Sequence, residues 1–247
     1  MISMKIVAII LISLVILILL PFLFLFICGL FVDAKKQYDR DSRFFRGLLD
    51  GSTTVILWCL GVRYNIVGEE KFPAEGNFLF ISNHRSNYDP IVQWTVFKRY
   101  KISFISKKEN FRIPMYGRLI HRCCFMPIDR KNPRKAMETV NRAARLLTET
   151  GNSVGVYPEG KRSKECRLLP FHSGVLKVAQ KACRPIVVST IEGTENIFRN
   201  IRRFRKTVVT IKILETIDAD RVKSTKTSEL SDYCAGMMKH ELEEQET

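Results

Sequence analysis

From Ile6 to Val32 the chain runs for 27 residues without one charged side chain. A helix of that length reaches ~40 Å, and the hydrocarbon core of a bilayer is ~30 Å thick. A secretory leader would have a shorter apolar region and a small-residue cleavage site, and neither is visible. The segment is therefore expected to remain part of the protein as a membrane anchor. Pro21 near its middle predicts a kink, which leaves two readings open: one bent spanning helix, or two shorter helices dipping into a single leaflet. Lys35, Lys36, Arg40, Arg43 and Arg46 follow the segment, against Lys5 before it. By the positive-inside rule, everything beyond residue 33 is expected on the cytosolic face of the cell membrane.

A second apolar run, Val55 to Leu60 behind Phe44, Phe45, Leu48 and Leu49, is too short to span. With Trp58 inside it, the run fits an interfacial helix that lays the remaining domain on the membrane. A helix of the protein core fits the same pattern equally well. The expected division is 1–61 for the anchor and this helix, and 62–247 for one sizeable domain.

The net charge of +15 calls for an anionic partner. Beside so apolar an amino terminus, an anionic membrane surface is a simpler partner than nucleic acid, and acidic acyl carriers or phosphorylated substrates would be attracted too. Seven cysteines, an odd number without C-x-x-C spacing, read as reduced and mostly buried thiols.

Beyond the anchor, strand and helix patterns alternate. Strands are expected at Arg63–Val67, Phe78–Ser82, Ile102–Ser106, Phe125–Ile128, Val154–Tyr157, Ile186–Ile191 and Thr207–Leu214. They are short, apolar and rich in β-branched residues, as strands covered on both faces tend to be. Helices are expected at Ile91–Lys98, Met115–Arg122, Pro133–Glu149, Ser173–Lys181 and Glu229–Glu244, with the last residues frayed. The alternation predicts an α/β fold: a mixed, largely parallel sheet flanked by helices.

Four polar blocks fall beside predicted strands, where the loops of an α/β sheet converge on a ligand. The first, Asn83-His84-Arg85-Ser86-Asn87-Tyr88-Asp89-Pro90, sets a histidine five residues ahead of an aspartate. A regular helix brings i and i+4 to one face, so a bend must intervene if the two are to meet. Asp89 with Pro90 makes a good helix start, and Ser86 as cap with Asp89 in the first turn is nearly as good. A turn histidine with only a structural hydrogen bond is the bland reading of His84. The functional one is a dyad, in which Asp89 fixes the tautomer and the other ring nitrogen takes a proton. A metal site is disfavoured, because His121, His172, His240 and the cysteines lack ligand spacing.

The second block is Lys107, Lys108 and Glu109 with Pro114 and Gly117; the third is Ile128-Asp129-Arg130; the fourth runs from Tyr157 to Ser163. The last contains a decoy, since Gly155 to Lys161 imitates a nucleotide-binding G-x-x-x-x-G-K loop. Arg162 stands where the magnesium-binding hydroxyl belongs, Pro158 removes an N–H and Glu159 adds a carboxylate, so the nucleotide reading fails. Arg162 or Lys161 could instead pair a single phosphate while Glu159 orients those cations or holds a hydroxyl, and the Arg130 fork suits a phosphate as well. No G-x-S-x-G elbow is present, and Cys123-Cys124 has only His121 nearby. The proton that His84 removes is then expected to belong to the substrate, which implies direct transfer without a covalent enzyme intermediate.

Taken together and in order, Asn83-His84-x4-Asp89, Lys107…Pro114…Gly117, Ile128-Asp129-Arg130 and Pro158-Glu159-Gly160-x-Arg162-Ser163 resemble the glycerolipid acyltransferase family. The closest likeness is to the bacterial 1-acylglycerol-3-phosphate acyltransferases, and it runs from about Val62 to Ile191. The resemblance implies that 62–247 is a catalytic domain acylating the sn-2 hydroxyl of lysophosphatidic acid to give phosphatidic acid. It implies His84 as general base assisted by Asp89, and Lys107, Arg130, Glu159, Gly160, Lys161 and Arg162 around the glycerol phosphate. The acyl donor would be acyl-CoA or acyl carrier protein, with membrane lipids as partners, no further cofactor, no metal and no nucleic acid. Two positions depart from the pattern: Lys161 stands where threonine is commonest, and Val188 where a second proline is usual. A relative acting on glycerol 3-phosphate, a lysophospholipid or a lyso-aminolipid is the nearest rival reading. A non-catalytic basic binder of membranes or nucleic acid is the more distant one.

Overall fold

The computed structural model describes residues 4–74, 76–163 and 165–244. The uncharged segment forms one continuous helix, α1 (Met4–Leu30), with Pro21 inside it. Of the two readings left open above, the pair of separate shorter helices is thereby set aside. Among the described residues it is the one helix long and apolar enough to cross a membrane, and no part of its most apolar stretch is buried inside the protein. A short linker leads to α2 (Arg43–Cys59), which starts where the Ser42 hydroxyl accepts the Phe45 N–H.

The strands form at the predicted places: β1 (Val62–Val67), β2 (Leu79–Ser82), β3 (Ser103–Lys107), β4 (Met126–Ile128), β5 (Val154–Val156), β6 (Ile186–Glu192) and β7 (Thr207–Ile217). They make one seven-stranded sheet in the order β1-β7-β6-β2-β5-β3-β4. From β6 to β4 all neighbours are parallel, and the antiparallel junction is β6 with β7. The remaining helices are α3 (Tyr88–Val96), α4 (Tyr116–Arg122), α5 (Pro133–Glu149), α6 (Lys177–Ala182), α7 (Ile197–Ile201), α8 (Ala219–Ser224) and α9 (Thr227–Glu244). The expected fraying of the last residues falls outside the described residues.

Successive strand residues point to opposite faces, and both faces are covered. Leu79 and Ile81 of β2 face a core with Val140, Ala143 and Leu147 of α5, Val178 of α6 and Met238 of α9. Phe78, before β2, and Phe80 face the other core, with Leu49 and Leu57 of α2, Val92 and Trp94 of α3 and Leu119 of α4. Residues from α2 thus complete the second core, and its Leu49 and Leu57 are wholly buried. The outer side of the same helix leaves Phe44, Val55 and Trp58 exposed. The core reading therefore holds for one face of this helix, and the other face leaves exposed the apolar side chains on which the interfacial reading rests.

Arg46, counted above among the cations flanking the anchor, lies instead inside the domain with 6% of its surface exposed. It pairs with Asp41 at 2.6 Å. It also donates to the Ile102 carbonyl at 3.1 Å, the Ser103 hydroxyl at 2.8 Å and the Cys123 carbonyl at 3.0 Å. A guanidinium can be buried at this cost only when its donors are met in this way.

Candidate active site

Four parallel strands, β2, β5, β3 and β4, deliver the polar blocks to one edge, the edge of their carboxyl ends. The chain leaves β2 through Asn83, whose side chain takes the Ile191 N–H at 2.7 Å and donates to the Ile191 carbonyl at 3.0 Å. Those two bonds tie the departing loop to β6. His84 and Asp89 then meet across the bend, with Nδ1 2.7 Å from Oδ2. Neither capping arrangement expected from the sequence forms as stated. Asn87 occupies the cap position without a side-chain bond, and Ser86 Oγ takes the Tyr88 N–H. Asp89 lies in the first turn, where its Oδ2 also accepts the N–H groups of Arg85 and Ser86, each at 2.7 Å. The Thr194 hydroxyl donates to Oδ1. An oxygen already taking two N–H bonds serves as acceptor, so Nδ1 is the ring nitrogen that donates to it, and Nε2 has no partner among the described residues.

Tyr157, beyond the end of β5, supports the imidazole from one side. The two rings stack at 4.2 Å and 13° between planes, and Tyr157 stacks in turn on Phe104. Its hydroxyl donates to Gln93 at 2.6 Å, and Gln93 donates to Ser82 at 2.9 Å. Burial first, and the Asp89 carboxylate second, hold the phenol well above its ordinary pKa, so it stays a neutral donor. Sequence reasoning assigned no role to Tyr157, Gln93 or Thr194. The bond between Tyr157 and Gln93 spans 64 residues and that between Thr194 and Asp89 spans 105, so both form only through strand order.

Glu159 has a different place from the one expected. Its side chain is buried, with Oε1 accepting the His84 N–H at 2.6 Å and Oε2 the Leu169 N–H at 3.0 Å. Its observed partners are backbone amides rather than the neighbouring cations, so it positions the His84 loop from below. Burial pushes its carboxyl up to about 7 against the pull of those two N–H groups. An acid whose folded pKa exceeds its unfolded 4.5 costs nothing below pH 4.5, where both states are protonated. The cost grows between 4.5 and 7 as the unfolded chain alone ionises, reaching about 3 kcal/mol above that window. Glu159→Gln carries no such titration. Denaturation curves should therefore show the native protein losing about 3 kcal/mol relative to this variant across the window; parallel curves would refute the assignment.

His84 opens on a cavity of about 850 Å³ that also takes Lys107, Arg130, Gly160, Lys161 and Arg162 into its wall. Asp89 and Glu159 stand behind the wall. Lys107 closes β3 opposite Ile128, and Arg130 follows two residues after β4 ends. No carboxylate among the described residues makes an ion pair with Arg130, whose guanidinium is drawn below its usual pKa by burial. Gly160 sits at φ 69°, where a side chain would come within 2.9 Å of the His172 ring. The rest of the wall includes Phe104, Ile105, Ile128, Met137, Val140 and Val175. One cavity therefore joins a poised imidazole, a cluster of cations and an apolar lining. Lys108 is spent on Asp129, 2.6 Å away. Val188 is buried within β6 at an irregularity in its register with β7, so that departure lies in the sheet and not in the cavity wall.

Cys166 also reaches the cavity, and burial raises its pKa, which disfavours the thiolate. Arg85 and Glu195 were not singled out from the sequence. Both line the cavity, and each keeps a buried atom without a hydrogen-bond partner, Nε and Oε2 respectively.

The family model described as Acyltransferase matches residues 63–192, just over half of the chain. The 1-acyl-sn-glycerol-3-phosphate acyltransferase of Cocos nucifera is 33% identical over 183 residues, covering 72% of this chain and 58% of its own length. The enzyme of that name from Escherichia coli (strain K12) is 29% identical over 169 residues, 68% of each chain. This chain therefore spans less than two thirds of the plant relative. In fold it is similar to the crystal structure of the 1-acyl-sn-glycerophosphate (LPA) acyltransferase, PlsC, from Thermotoga maritima. The TM-score is 0.68 at 22% identity, over 91% of this chain and 88% of that one.

Proposed function

The chain belongs to the acyltransferase family, and on that premise we propose that it moves a fatty acyl group from a thioester to the sn-2 hydroxyl of 1-acylglycerol 3-phosphate, forming phosphatidic acid. One observation carries this reading: the unhindered side of a His–Asp dyad and a group of cations share one cavity with an apolar lining. The cations suit a phosphate monoester, and the lining suits acyl chain.

In the proposed reaction the acceptor hydroxyl hydrogen-bonds to Nε2 of His84. As its oxygen forms a bond to the thioester carbon, the proton passes to the imidazole, and Asp89 stabilises the resulting cation. The carbon–sulfur bond then breaks, and the departing thiolate takes the proton from the imidazolium. Atoms and electrons balance with the two substrates alone, so the reaction calls for no cofactor. Coenzyme A and acyl carrier protein present the same pantetheine thioester, and either suits this chemistry as donor. The anchor and the exposed Lys35, Lys36, Arg40 and Arg43 favour a membrane location with the catalytic domain on the cytosolic side.

A panel of acceptors given with radiolabelled acyl thioester tests the assignment. The expected outcome is phosphatidic acid from lysophosphatidic acid, with poor use of a phosphate-free monoacylglycerol. Preference for the phosphate-free acceptor would overturn the phosphate site. Arg130→Ala should raise KM for lysophosphatidic acid about 10–10²-fold, as expected for losing a charged hydrogen bond, with a smaller change in kcat. An unchanged KM would remove Arg130 from that role.

A further inference from the structure

The segment Phe198-Arg199-Asn200-Ile201-Arg202-Arg203-Phe204-Arg205-Lys206 plays no part in the cavity or the dyad. It comprises most of α7 and the turn that enters β7. Phe204 is 100% exposed and Phe198 62% exposed. Phe204 also holds φ at 53°, a left-handed conformation that a bulky side chain adopts only at a cost. Five cations fill the eight positions from Arg199 to Lys206. Arg202, Arg203, Arg205 and Lys206 make no ion pair with a carboxylate among the described residues. The Arg202 guanidinium lies 5.9 Å from the Phe198 ring, and Phe204, wholly exposed, adds no packing to the isolated fold.

The place of this turn in the sheet matters. Because β7 runs antiparallel to β6, Thr207 lies at the edge where β2, β5 and β6 end, the edge of the His84 cavity. Three residues before α7 stands Thr194, whose hydroxyl holds Asp89. On the other side, the Thr207 N–H donates to the Gly61 carbonyl at 3.1 Å, just beyond the end of α2. A side chain on Gly61 would come within 3.5 Å of the Lys206 Cα. The turn thus abuts the carboxyl-terminal end of α2, the helix that leaves Trp58 78% exposed and Val55 exposed as well.

We propose that the Phe198–Lys206 turn is an anionic-lipid-binding element that, with the outer face of α2, seats the cavity edge of the sheet on a negatively charged bilayer surface. Phe198 and Phe204 enter the interfacial layer, and the surrounding cations meet headgroup phosphates. An extended nucleic acid would also attract the charge. The adjoining α2, whose exposed Val55 and Trp58 offer nucleic acid nothing, decides for the lipid surface. The inference rests on the reading that the substrate reaches the cavity from a membrane.

The test uses the full chain with Trp58→Phe and Phe204→Trp, reconstituted into vesicles containing brominated lipid. The vesicles are of phosphatidylcholine alone, or of an equal mixture with phosphatidylglycerol. Phe204 is fully exposed in the fold, so its replacement disturbs no packing. Emission from the introduced indole, read above the constant signal of the buried Trp94, should be blue-shifted and quenched in the anionic vesicles, and much less so in the neutral ones. Replacing Arg202, Arg203, Arg205 and Lys206 by glutamine should abolish the difference. The same four changes should lower transfer to a vesicle-embedded acceptor at least about tenfold, while transfer to a dispersed short-chain acceptor stays unchanged. Water-like emission at position 204 in both vesicles would overturn the proposal, as would release of the quench by added RNA. Quenching does not depend on turnover. Failure of the catalytic reading would appear as lost transfer to both acceptors with the quench intact.

Discussion

Replacing His84 by alanine is expected to lower kcat by about 10²–10⁴ while leaving the fold and membrane attachment intact. Both halves of the prediction follow from where the residue makes its bonds. The backbone of His84 does the structural work: its N–H goes to Glu159 at 2.6 Å and its carbonyl accepts the Ser163 N–H at 2.9 Å. Alanine keeps both bonds. The imidazole, by contrast, bonds to Asp89 and stacks on Tyr157, and its second nitrogen is the atom proposed to meet the acceptor hydroxyl. After truncation Asp89 still receives two backbone N–H groups and the Thr194 hydroxyl, so no buried carboxylate is stranded. Acyl transfer and near-ultraviolet circular dichroism on the same preparation check the two halves. A variant with native dichroism and near-native kcat would remove His84 from the chemistry.

Arg46→Leu is expected to destabilise the protein by about 3–5 kcal/mol, the range for removing one partner of a buried ion pair. The substitution strands Asp41, which retains only the Asn152 side-chain amide at 3.1 Å and a backbone N–H. It also leaves the Ile102 and Cys123 carbonyls without the guanidinium that bridges them. Because these groups join α2 to the ends of β3 and α4, the loss should free α2 first. Lysine should not rescue, since one ammonium cannot reproduce a fork reaching Asp41, Ile102, Ser103 and Cys123 together. Denaturant titration in detergent measures the effect, and a loss below about 1 kcal/mol would show that the buried pair contributes little net stability.

Much of this architecture was legible in the sequence because the signals are local. Seven short β-branched runs became seven strands, and Pro133 with a helical apolar pattern fixed both ends of α5. The meeting of His84 with Asp89 was legible as a question, since an i+5 spacing demands a bend. The support around the dyad was not legible. Thr194 reaches Asp89, and Tyr157 reaches His84, only because β6 and β5 flank β2 in the finished sheet. The amide partners of Glu159 were hidden for a related reason: the local sequence places a carboxylate among cations, whereas the fold turns it inward to two backbone N–H groups. Arg46 illustrates the same limit, because a run of positive residues after an anchor does not say which one faces inward. The core reading of α2 holds for the face of Leu49 and Leu57, and a local apolar run could not show that the same helix leaves Val55 and Trp58 exposed.

The proposed reaction is direct transfer, with the proton taken from the acceptor and no acyl group ever resting on the protein. Rapid mixing of the enzyme with radiolabelled acyl thioester, first without and then with lysophosphatidic acid, tests it most directly. Under direct transfer, thiol is released only after the acceptor is added and precipitated protein carries no label. A burst of thiol matching the enzyme concentration, with label recovered on the cavity thiol of Cys166, would contradict it.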